Sequence, residues 1–145
     1  GVAQKYVLTA PSGVWYLRRA EVAQKDNSLA DRWIMRPDLA ASILVIAEEV
    51  PGAQIDIEKY ADAIVENIAK QEGSKVTSRE ASTAQPKIGR ILRAHASVGT
   101  HEYEYLYGLF ADGPGAFQVV AFSDARNFAR VEADFRKAIE SFKLP

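Results

Sequence analysis

His95, Glu102 and Glu104 are the residues of this chain whose types and spacing come nearest to a chemical site. On an extended strand Glu102 and Glu104 fall on one side, roughly 6–7 Å apart from the rise per residue, a separation at which paired carboxylates can hydrolyse glycosides. With His95 they also make an acid–base or metal-binding trio. The competing reading is a cross-strand His–Glu pair on a wet surface, where nothing apolar raises one carboxyl's pKa as an acid catalyst requires. His101 is the only other histidine. It projects to the face opposite His95 in the strand pairing that the turns impose, so the two cannot share a zinc ion that needs three or four ligands.

Other chemistries fall away on composition and motif. Cysteine is absent, which removes disulfides, thiol catalysis and thiolate metal sites together. No serine stands in Gly-x-Ser-x-Gly, no phosphate-binding loop occurs, and the run His101-Glu102-Tyr103-Glu104-Tyr105 lacks the second histidine of His-Glu-x-x-His. Gly108, Gly113 and Gly115 belong to a hairpin, not to a nucleotide-binding turn ahead of a helix. Tyr103, Tyr105 and Tyr107 share one face and read either as core or as a stacking platform for a sugar or base. Trp33, flanked by Arg32 and near Arg36, is the candidate anchor of a partner contact. A net charge of -1 supplies no basic field of the kind that draws in nucleic acid.

The elements that position these residues follow from the turns. Gly99 in Val98-Gly99-Thr100-His101 suits the first central position of a two-residue type II′ turn. That register sets Ala96 opposite Tyr103, Ala94 opposite Tyr105 and Leu92 opposite Tyr107, small residues against large. The other surface carries His95 opposite Glu104 and Ser97 opposite Glu102. A second turn, Asp112-Gly113-Pro114-Gly115, pairs Phe110 with Phe117 and Tyr105 with Phe122. The resulting sheet is apolar on both faces, which predicts a helix above and another below.

Elsewhere the pattern predicts short strands at Tyr6–Leu8 and Val14–Leu17 around Pro11-Ser12-Gly13, and a polar loop over Glu21–Leu29. A hairpin of Arg32–Arg36 with Ser42–Ala47 is expected around Pro37-Asp38. Asp56 reads as an N-cap, followed by Ile57, Tyr60, Ala61, Ile64, Val65 and Ile68 at helical spacing, with Gly73 as a C-cap glycine. A strand is expected over Val76–Thr83. A last helix, starting near Ser123-Asp124, carries Phe128, Val131, Phe135, Ile139 and Phe142 on one stripe. Charge is segregated: Asp38–Glu66 holds seven acids against Lys59, and Lys70–Arg93 holds six bases against two acids. Such segments read as solvated faces that neutralise each other on folding, or as a bipolar docking surface. With 145 residues, 48% of them hydrophobic, no repeat and no linker, the chain reads as one domain over 1–145. No stretch approaches the ~20 apolar residues of a membrane span. The start Gly1-Val2-Ala3-Gln4 reads as that of a mature or trimmed chain, which a signal peptide or lipid anchor can precede.

The order of elements resembles the PsbP-like superfamily, which includes photosystem II extrinsic proteins, LpqN-type lipoproteins and other non-photosynthetic bacterial members. The residues carrying the resemblance are Gly13-Val14-Trp15-Tyr16, Ile57-Glu58-Lys59-Tyr60-Ala61, Phe117-Gln118-Val119-Val120 and Phe135 through Phe142. It implies an α+β fold, an α/β/α sandwich around a central antiparallel meander sheet flanked by helices. It further implies a non-catalytic accessory or assembly module outside the cytoplasm, without cofactor or metal, bound to a protein partner or membrane-associated complex. The photosystem protein's own signature residues are not present, so its photosynthetic role does not carry over. Two functional expectations follow. One is a protein-binding module contacting its partner through Arg32, Trp33 and Arg36. The other is a small-ligand or metal carrier, or weak hydrolase, with His95, Glu102 and Glu104 in a pocket between sheet and helix.

Overall fold

The computed structural model describes residues 6–11, 15–18 and 30–144. They form a seven-stranded, wholly antiparallel sheet: β1 Tyr16–Leu17, β2 Ala30–Arg36, β3 Ala41–Glu49, β4 Ser74–Ala81, β5 Gly89–Val98, β6 His101–Asp112 and β7 Gly115–Asp124. The spatial order is β1-β2-β3-β7-β6-β5-β4. Two meanders, β1–β2–β3 and β4–β5–β6–β7, are joined where β3 pairs with β7. Helix α1, Ile57–Ala69, carries the chain from β3 to β4 and so crosses one face of the sheet, while α2, Phe128–Glu140, packs on the other. This is the expected α/β/α sandwich.

The two turns produce the expected register. Gly99 takes φ +61° and Gly113 φ +55°. Ala96 faces Tyr103, Ala94 Tyr105, Leu92 Tyr107 and His95 Glu104, and across the next turn Phe110 meets Phe117 and Tyr105 meets Phe122. The β2–β3 hairpin closes around a 3-10 turn at Pro37–Leu39, and Ala40 is the one non-glycine with positive φ (48°) among the described residues. Asp56 caps α1 by accepting from the Lys59 amide at 3.0 Å.

Three expectations are corrected. Tyr6–Leu8 forms no hairpin with β1. Val7 makes an isolated bridge to Lys143 while β1 pairs with β2, because the Tyr6 ring stacks on Phe142 at 5.5 Å and draws that segment to the chain's other end. The turn proposed at Ser12-Gly13 and the loop over Glu21–Leu29 lie outside the described residues. The last helix starts at Phe128, not near Asp124. Strand β7 continues to Asp124 because Tyr103 still pairs with it, and the Asp124 carboxylate then receives the Asn127 amide at 2.9 Å to turn the chain. Gly73 does not cap α1, which ends at Lys70; it turns the chain into β4 with φ +81°, and a Cβ there would lie 2.5 Å from the Ser97 carbonyl oxygen.

Alternation along the strands assigns every residue to a face. Toward α2 point Ile43, Val45, Ile91, Leu106, Phe110, Phe117, Val119 and Ala121, sealed by Phe128, Val131, Phe135, Ile139 and Phe142. Toward α1 point Leu92, Ala94 and Leu109, covered by Ala61, Ile64 and Ile68. The acidic and basic segments meet as the first reading of their charges expects: Arg79 pairs with Glu58 and Asp62, each at 2.7 Å, and Arg90 with Glu58, fastening α1 over β4 and β5.

Candidate functional site

Strand alternation decides the fate of both candidate groups. On β2, Trp33 lies opposite Leu44 on the α1 face, whereas Arg32 and Arg36 lie opposite Val45 and Ala41 on the α2 face. Arg32, Trp33 and Arg36 therefore do not form one patch: the period of a strand is two, and the odd residue of this trio points away from the even ones. Arg36 pairs locally with Asp38 at 3.1 Å. Arg32 is exposed at the rim of an apolar hollow beside Leu17, Ile34 and Leu8.

The structure does bring His95, Glu102 and Glu104 together, on the α2 face beside the turn that closes the β5–β6 hairpin. The imidazole lies between the two carboxylates, Nδ1 against Glu104 and Nε2 against Glu102. Glu104 also accepts from Arg93 Nε at 3.1 Å, and Glu102 from the Ser97 hydroxyl at 2.7 Å. Hydrogen bonding to Glu104, and next to Glu102, holds the His95 pKa above its ordinary value. The Ser97 hydroxyl, and then His95, hold the Glu102 carboxyl below its own. A ring with both nitrogens committed to carboxylates presents neither a free base nor an open ligand. Among the described residues no group of three His, Cys, Asp or Glu side chains is arranged to hold a metal ion. The trio lies on the α2 face, and none of its members lines the hollow between α1 and the sheet.

A hollow does exist on the α1 side, with a different lining. It encloses about 380 Å³ between α1 and strands β2, β3, β7 and β6. Its floor is Leu44, Ile46 and Val120, its aromatic wall is Trp33, Tyr105, Tyr107 and Phe122, and carboxamides at Asn67, Gln71 and Gln118 stand around it. Among the described residues, no Asp, Glu, Lys, Arg or His lines it. The wall is built by register. Phe122 stacks on its cross-strand partner Tyr105 at 5.1 Å, and Tyr105 on Tyr107, two residues along, at 5.7 Å. Trp33 carries the Arg18 guanidinium over its ring at 4.4 Å. Burial pushes the Tyr105 and Tyr107 phenols above the ordinary tyrosine value, so both stay neutral hydroxyls at any physiological pH.

The tyrosines read from the sequence either as core, because Ala and Leu oppose them on β5, or as a stacking platform. They are half-buried, because α1 crosses the sheet over Leu92, Ala94 and Leu109 and leaves Tyr105 and Tyr107 with one side uncovered. Cross-strand pairing alone could have joined Tyr105 to Phe122. Adding Trp33 required the β3–β7 register, which no turn in the sequence specifies.

A meander sheet joined to a second small meander, with one helix on each face, is also the architecture of solved PsbP-like structures. Solved structures with that fold match it over nearly its full length. One is cyanobacterial PsbP (CyanoP) from Synechocystis sp. PCC 6803, with a TM-score of 0.68 at 13% identity, covering 100% of this chain and 95% of that one. Another is LpqN, involved in cell envelope biogenesis of Mycobacterium tuberculosis, with a TM-score of 0.70 at 13% identity, covering 99% and 86%. A third is the putative regulator PA94 of Pseudomonas aeruginosa, a protein of unknown function, with a TM-score of 0.62 at 13% identity, covering 97% and 83%. The likeness is one of fold. No family model matches the sequence, and no curated protein sequence matches it. Among the described residues no helix is long and apolar enough to cross a membrane.

Proposed function

We propose that this chain is a non-catalytic accessory module that docks onto a larger protein complex at the cell envelope, and that the α1-side hollow is its recognition surface. The observation that carries the reading is the hollow's lining: four large aromatic side chains on the sheet, half-buried and rimmed by carboxamides, with no Asp, Glu, Lys, Arg or His among the described lining residues. Aromatic anchors set in a concave, neutral surface are the features that concentrate binding energy at protein interfaces. The envelope setting rests on fold likeness to LpqN, a protein involved in cell envelope biogenesis.

One observation favours a second reading, a carrier for a small uncharged ligand in the same hollow. Asn67, Gln71 and Gln118 converge on a space of about 380 Å³, within the usual size of a small-molecule site.

Co-purification of the chain from its own cells separates these readings. A rim-charged variant, Asn67→Glu with Gln71→Lys, changes only exposed positions, one on α1 and one just beyond its end, and leaves the core intact. Loss of a stoichiometric protein partner in this variant, with retention in Arg32→Glu/Arg36→Glu, supports docking through the hollow. The reverse pattern moves the interface to the α2 face. A partner-free protein that carries a small molecule in native mass spectrometry supports the carrier.

A further inference from the structure

The trio at the β5–β6 tip depends on a proton in a way the neutral hollow does not. A neutral imidazole has one N–H and one lone pair. Carboxylates facing both ring nitrogens, as Glu104 and Glu102 face His95, are both satisfied only by the doubly protonated ring. Removing one proton turns a lone pair toward a carboxylate, and one of the two ties must fail.

The surroundings decide which. Glu104 is 15% exposed and holds a second cation, Arg93 Nε, at 3.1 Å. Glu102 is 49% exposed and has the Ser97 hydroxyl as its other side-chain partner. The Glu102 main chain stays fixed, since its carbonyl accepts from the Ala125 amide at 2.8 Å, so only the side chain is free to swing. Beside it lies a second hollow of about 390 Å³, formed by Thr100, His101, Glu102, Asp124, Ala125 and Arg126. There Arg126, 91% exposed, lies 3.9 Å from Asp124.

We propose that His95 is a pH-operated tie, fastening Glu102 and Glu104 across the hairpin tip when charged and releasing Glu102 toward the Arg126 hollow when neutral. The charged groups around it come from every neighbouring element. Glu102 and Glu104 lie on β6 and Arg93 on β5; Lys75 on β4 stands opposite His95 in register; Glu132 of α2 lies 3.8 Å from Arg93; Asp124 and Arg126 occupy the β7–α2 junction. Arg93 and Lys75 oppose the imidazolium and the two carboxylates favour it. The carboxylates prevail because they touch the ring, whereas Arg93 is engaged by Glu104 and Glu132. The raised pKa of His95 accords with this. Because the folded value lies above that of a free histidine, the tie is complete below about pH 6.5 and is undone as pH rises through the raised value. The tip then loses one positive charge and gains a mobile carboxylate.

NMR of the intact wild-type protein from pH 5 to 9 tests this, following the His95 ring nitrogens and the Glu102 side-chain carboxyl carbon. The expected result is a His95 ring protonated at both nitrogens at pH 5, titrating above a free histidine, with a Glu102 shift at the same midpoint. That Glu102 step disappears in His95→Gln and persists in His101→Asn. A Glu102 signal that does not follow His95 in the wild type, a step that survives His95→Gln, or a His95 midpoint at or below 6.5 overturns the tie.

Discussion

Against α2 the sheet presents Ile43, Val45, Leu106, Phe110, Phe117 and Val119, and α2 answers with Phe128, Val131, Phe135 and Ile139, all at most 2% exposed. Against α1 strands β2, β6 and β7 present Trp33, Tyr105, Tyr107 and Phe122, and α1 leaves them half-buried. The difference comes from connection and helix content. Helix α2 runs straight from β7 and carries three phenylalanines counting Phe142 just beyond its end, with Phe142 stacked on Phe110 at 4.4 Å. Helix α1 must cross from β3 to the far-edge strand β4 and buries only Ala61, Ile64 and Ile68. Under α2 the sheet is finished as a core; beside α1 it is left open over Trp33, Tyr105, Tyr107 and Phe122.

The largest expected effect tests the sealed side. Replacing Phe135, which is fully buried, by Ala should cost about 3–5 kcal/mol of stability. Tyr107→Ala on the open side should cost clearly less and yet weaken partner recovery more, as chemical denaturation and co-purification can show in parallel. If the two substitutions destabilise equally, the asymmetry between faces is not energetic.

A sharper cut is Gly108. A Cβ there would lie 2.5 Å from Ile139 Cγ2, so the absence of a side chain lets α2 approach the sheet. Gly108→Ala should destabilise by about 1–3 kcal/mol through overpacking, measured by urea denaturation. The helix is also fastened by Glu140, whose carboxylate receives the Ser82 hydroxyl at 2.8 Å and the Thr83 and Ala84 amides at 3.1 and 2.8 Å. Burial raises the Glu140 pKa, but these donors together outweigh it and the net direction is down. A lowered folded value gives stability that is present above the ordinary carboxyl range near 4.5 and lost as pH falls through the folded value. Thermal melts from pH 6 to 3 should therefore fall more steeply for the wild type than for Glu140→Gln.

The smallest effect lies at the β2–β3 turn. Ala40 occupies the left-handed region at φ 48°, a conformation that costs a residue with a Cβ about 1–2 kcal/mol. Glycine removes that strain but has more freedom to lose on folding, so Ala40→Gly should stabilise by no more than about 1 kcal/mol in the same denaturation assay.

The contrast between faces also marks what was legible in the sequence. Gly99 and Asp112-Gly113-Pro114-Gly115 are local signals, and a two-residue turn determines every pair along its strands, so β5, β6 and β7 could be read residue by residue. The His95–Glu104 and Ser97–Glu102 pairings followed from the same turn. Joining β3 to β7 depends on contacts some 70 residues apart, such as Leu44 with Val120, and no local residue announces it. That pairing is what brings Trp33 to Tyr105 and Phe122, so the hollow stayed hidden while its individual residues were in view. The Arg32, Trp33 and Arg36 grouping failed for a simpler reason, since neighbours along a strand are not neighbours on a face.

Site-specific photocrosslinking in the protein's own cells tests the central claim most directly. A photoreactive side chain is placed at Gln71, on the rim of the hollow, or at Arg130, exposed on α2. Docking through the open face predicts a discrete protein adduct from position 71 and none from 130. An adduct from 130 alone would place the recognition surface on the sealed side and contradict the account.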